Sequence, residues 1–175
     1  MSVNGGKALT FASVLKQTAL SIALYLHDDQ SPHKALAIEL CSKGFQTWQA
    51  YTDAMDLLRR LFHLATRKEP QASSSVTGSG IAAQARIAVL HIAGSNTPLF
   101  MTTLSMDILD AQSAEHRTSI MKLCVFMARK RPEILEHGLP RIAEAVVKSL
   151  DPNIASMREE VWQAATVILN ELVLA

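Results

Sequence analysis

A chain of 175 residues with an apolar share of 49% carries enough nonpolar side chain for one domain with a buried core, and it is expected to fold. Its 17 basic and 16 acidic residues nearly cancel, which excludes the charge excess that marks a general nucleic-acid or acidic-membrane binder. Aromatic residues make up only 5% and Gly (7) and Pro (6) are few, whereas Ala, Leu, Ile and Met abound; this usage favours close helix packing over strand pairing and predicts an all-α fold.

Phe11, Leu15, Ala19, Ile22 and Leu26 recur at helical spacing and are broken by Asp28-Asp29-Gln30, which predicts a first helix. The apolar run from Leu9 to Leu26 is interrupted by Lys16 and Gln17 and reads neither as a membrane span nor as a secretory signal. Ser31-Pro32 reads as an N-cap with proline at the first helical position, and Gly44 as the left-handed stop of a short second helix. Trp48, Tyr51, Met55, Leu58, Phe62 and Ala65 form one unbroken stripe, so the third helix is expected to run from there to about Lys68. Residues 69–80, EPQASSSVTGSG, lose all periodicity and read as a flexible linker between N-terminal helices (1–68) and later helical pairs (81–175) of a single repeat domain.

Ile81, Ala85, Ala88 and Ile92, with Ile87 and Leu90, predict a fourth helix stopping at Gly94. Asn96 with Pro98 opens a fifth, and Ser113 caps a sixth carrying Ile120, Leu123, Cys124 and Met127 to the basic end Arg129-Lys130-Arg131. Pro132 opens a seventh, expected as one helix to Leu150, bent near Gly138 by Gly138 and Pro140. An eighth from about Ile154 buries Val161, Ala164, Ala165, Ile168 and Leu172. That segment stays apolar to Ala175 with no polar cap, which suggests a piece of a longer protein or self-association through the uncapped last helix.

Arg86, Arg117 and Arg158 each precede a similar run of small and apolar residues, at separations of 31 and 41 positions, so helical pairs repeat irregularly. Residues 131–172, with Pro132 early, Pro140 within the first helix, Asp151 in the turn and Arg158 opening the second, resemble a HEAT repeat. The resemblance implies antiparallel helical pairs stacked as an irregular HEAT/armadillo-like α-solenoid of about eight helices. IAAQARIAVLHIAGSNTPLFMTTL followed by RPEILEHGLPRIAEAVVKSLD resembles the helical region of large WD-repeat proteins of the rabconnectin beta-subunit type. That likeness implies a scaffold linked to vacuolar proton pump regulation or vesicle traffic, cytoplasmic and peripheral to endomembranes, although this chain carries no WD repeat.

Chemistry is sparse. Gly78-Ser79-Gly80-Ile81-Ala82-Ala83 fits a dinucleotide fingerprint but follows a polar stretch where that motif needs a strand, so no cofactor is expected. The six histidines are scattered without ligand spacing, and no metal is expected. Cys41 and Cys124 lie in apolar surroundings that oppose a reactive thiolate and suit a reduced, cytosolic protein. With no catalytic constellation, the chain reads as a non-enzymatic scaffold whose partners are other proteins. Arg59, Arg60, Arg129, Lys130 and Arg131 are the candidate partner-binding residues, although each cluster also suits simple complementation of a helix's negative end. The alternative function is a compact bundle holding an apolar ligand or lipid between Met101, Met106, Met121 and Met127.

Overall fold

The computed structural model describes residues 4–67 and 80–149, with Thr166 and Asn170; for residues 4–9 the backbone alone is described. Every regular element among them is an α-helix: α1 (Asn4–His27), α2 (Lys34–Trp48), α3 (Ala54–Thr66), α4 (Ile81–Ser95), α5 (Thr97–Asp110), α6 (Ala114–Lys130), α7 (Pro132–Glu136) and α8 (Leu139–Ser149). The all-α expectation therefore holds for the described residues. The expected linker, apart from Gly80, and the expected helix from Ile154, with its uncapped end, lie outside them.

α3 is the central element. Leu57, Leu58, Leu61, Phe62, Leu64 and Ala65 are all buried, because apolar residues at successive three- and four-residue steps widen its nonpolar stripe. It packs against α1, α4, α5 and α6, while α2 packs on α1 and α4, and α8 packs on α5. One cluster of buried side chains takes members from all eight helices, from Ile22 on α1 to Val146 on α8. Within it Phe62 and Phe100 meet edge to face, ring centroids 5.7 Å apart, joining α3 to α5.

Local chemistry sets the boundaries, and several differ from the sequence expectation. α2 begins at Lys34, not at Ser31-Pro32, and the Ser31 hydroxyl instead accepts a hydrogen bond from the His33 N–H within the connecting loop (3.1 Å). Gly44 does not end α2, since no described glycine has a positive φ. Its missing Cβ makes room for Trp48 one turn on, whose Cε2 would lie 2.6 Å from an added Cβ. The Trp48 indole N–H donates to the Leu40 carbonyl at 2.7 Å, so the ring lies back along its own helix.

The long stripe through Trp48 and Tyr51 is cut by a turn at residues 49–53. Asp53 starts α3 afresh, its carboxylate accepting from the N–H groups of Met55 (3.0 Å) and Asp56 (3.1 Å). Asn96 and Ser113 cap α5 and α6 as expected, accepting from Leu99 and His116 N–H groups. Gly94 lies inside α4, under the Arg131 guanidinium, and α4 ends one residue later.

The expected single bent helix over 132–150 is two helices, α7 and α8, parted at His137-Gly138. Pro140 explains the break: as the second residue of α8 it stands where a helix N–H lacks an intrahelical partner, so its missing donor costs nothing. Gly138 is needed for close approach, because an added Cβ would collide with the Met101 methyl from α5.

Candidate functional site

Where α8 crosses α5 the two helices leave a groove of about 280 Å³. α5 contributes Thr102, Ser105, Met106 and Leu109, and α8 contributes Arg141, Glu144, Ala145 and Lys148. Both sets step by three, four and seven residues, so each is one face of its helix. Met106 and Leu109 are 42% and 47% exposed, a nonpolar surface in water. Charges frame it: Glu144 pairs with Lys148 at 2.6 Å, and Arg141 reaches the Thr102 hydroxyl at 3.4 Å. Ser105 is buried, and its hydroxyl has no hydrogen-bond partner among the described residues. A floor of Met and Leu with a charged rim suits an amphipathic helix presenting nonpolar residues at one-turn spacing.

The methionines do not gather around this groove. Met106 lines it, whereas Met101, Met121 and Met127 are buried in the core, because Met101 fills the space over Gly138 and the α6 pair faces inward.

Arg59 and Arg60 are adjacent on α3 yet point to different partners. Arg59 pairs with Asp110 (2.7 Å) and approaches the buried Asp107 (3.5 Å), tying α3 to α5. Burial pushes the Asp107 carboxyl up, opposed by His116 at 3.4 Å and by Arg59. Arg60 closes the end of α1, donating to the carbonyls of Leu26 (2.7 Å) and His27 (3.3 Å) and pairing with Asp29 (2.6 Å). Its charge serves the negative end of a neighbouring helix. Lys34 (2.9 Å) and Arg67 (3.2 Å) reach the same Asp29 oxygen, and the Lys34 hydrogen bond leads in holding that carboxyl down at about 2. Burial, then the charges of Arg60 and Arg67, push His63 down. At the end of α6, Arg129 and Lys130 are exposed, while Arg131 turns across Gly94 and pairs with Glu133.

Cys41 and Cys124 are buried, and loss of solvent pushes both thiols up to about 12. No three His, Cys, Asp or Glu side chains gather as a metal set among the described residues, and none of the described helices is long and apolar enough to cross a membrane.

The groove and the buried Ser105 were missed from sequence, although the mixed stripe Thr102, Ser105, Met106, Leu109 was a readable signal. No family model matches the chain, and no solved structure matches it.

Proposed function

We propose that this chain is a non-enzymatic protein-interaction scaffold, and that the α5–α8 groove receives an amphipathic helix from a partner protein. The exposed nonpolar surface of Met106 and Leu109 beside the charged rim of α8 carries the reading. A helical-repeat solenoid of antiparallel pairs is the architecture we infer for it. Two arginines favour that architecture: Arg86 and Arg117 each stand early in a helix and donate to carbonyls at other helix ends, Arg86 to Ala65 (3.2 Å) and Arg117 to Ala111 and Ser149 (both 2.9 Å). A role repeated by one residue type in two successive pairs is in keeping with stacked repeats. On the resemblance of residues 131–172 to a HEAT repeat and of the longer stretch to the rabconnectin beta-subunit type, we assign the chain to the helical region of a larger WD-repeat protein. The setting is then cytoplasmic, peripheral to endomembranes, in vacuolar proton pump regulation or vesicle traffic.

Affinity capture with the intact chain, compared between two variants, tests the docking site. Met106→Glu with Leu109→Glu should lose the wild-type partners while the chain keeps its helical content and melting temperature, since both residues are already solvent-facing. Capture unchanged by that pair but lost with Arg129→Glu and Lys130→Glu would move the site to the end of α6.

A further inference from the structure

The loop between α1 and α2 carries Ser31-Pro32, a pair the helix does not use as a cap. Every residue from Asp28 to His33 is exposed except the half-buried Ser31. The Ser31 oxygen accepts from the His33 N–H at 3.1 Å, its hydroxyl proton binds no described group, and the exposed Pro32 follows. The same loop gathers a concentration of cations at Asp29. Lys34, Arg60 and Arg67 all converge on one oxygen of Asp29, two residues before Ser31. Asp28 already accepts from the Gln30 N–H, and His27 is paired with Asp56 at 2.8 Å. All three cations thus share one carboxylate oxygen, and Arg67, about half exposed, uses one of its donors on it.

We propose that Ser31 is a phosphorylation site for a proline-directed protein kinase, and that Arg67 and Lys34, gathered at Asp29, receive the phosphoryl group. Transfer from ATP forms the bond between the Ser31 oxygen and phosphorus, breaks the bond to the ADP oxygen, and passes the hydroxyl proton to the kinase's catalytic carboxylate. The product carries close to two negative charges and three acceptor oxygens, a better match for three converging cations than the single Asp29 oxygen they now share. Because Asp29 latches the α1–α2 loop to α3 through Arg60 and Arg67 and to α2 through Lys34, the new dianion competes for these cations and resets that latch.

Incubation of the intact chain with a purified cyclin-dependent kinase and ATP, followed by peptide mass spectrometry, should place phosphate on Ser31. Incorporation should be lost in Ser31→Ala and in Pro32→Ala. In phosphorus NMR the second ionisation of the phosphoserine should fall below the usual value of about 6 and return toward it in Arg67→Gln. The site is overturned if the intact chain takes no phosphate while a peptide covering residues 24–38 does. The receptor is overturned if the ionisation matches the free amino acid and Arg67→Gln leaves it unmoved.

Discussion

At Gly138 a single hydrogen atom decides a contact between helices. Met101 lies over that Cα, and any added methyl group meets its terminal carbon and then its sulfur, 3.1 Å away. Methionine is flexible, so the collision is relieved by moving its end, at the cost of a repacked α5–α8 contact. Gly138→Ala should lower stability by about 1–2 kcal/mol in denaturant unfolding. Adding Met101→Ala should cost less in that background than in the wild type, because truncating Met101 also relieves the collision that the new methyl group creates.

Asp29 shows how charge acts at the same scale. Its carboxyl is held at about 2 against an ordinary 3.8, so its ion pairs contribute stability fully present above the ordinary value and lost as pH falls toward 2. Asp29→Asn should therefore be the less stable protein at neutral pH, with the difference shrinking to nothing in acid. Solvent screening of a half-exposed carboxylate limits that difference to about 1 kcal/mol. Asp107 has the opposite sense: its carboxyl is raised, so the stability it costs when ionised is recovered as pH falls through its folded value.

At the scale of the element, caps were legible and continuity was not. Asn96 and Ser113 announced their helices because a side-chain oxygen satisfying a free N–H is chemistry between near neighbours in the chain. Asp53 makes the same bonds but is hidden in the sequence, since Trp48, Tyr51, Met55 and Leu58 keep helical spacing across the turn that Asp53 ends. Periodicity records which face is nonpolar and is blind to a break that preserves the phase. Asp53→Ala should cost about 1 kcal/mol in thermal or chemical unfolding, and Asp53→Asn much less, because the amide oxygen still accepts. Gly44 and Pro140 carry the converse lesson: both residues break isolated helices, yet one admits an indole ring inside α2 and the other helps to open α8.

For the whole molecule, burial of the two thiols supplies a probe of global opening. Cys41 on α2 and Cys124 on α6 both belong to the common core, and both thiols are pushed up to about 12. In native conditions at mildly alkaline pH an aromatic disulfide reagent should label neither thiol on the time scale of mixing, while both react in denaturant. Fast native labelling of one would show that its helix opens separately from the rest.

Composition and periodicity by themselves determined that the described chain is helical, and local caps and prolines where α4, α5, α6 and α7 start, because these depend on neighbours within a few residues. Only tertiary structure decided that Arg60 closes α1 while Arg59 ties α3 to α5, and that Met106 and Leu109 stay in water beside α8 while Met101 is buried. The reason is distance along the chain: Arg60 meets Leu26 across 34 positions and Arg141 meets Thr102 across 39, and no local pattern specifies which distant helix a side chain will face.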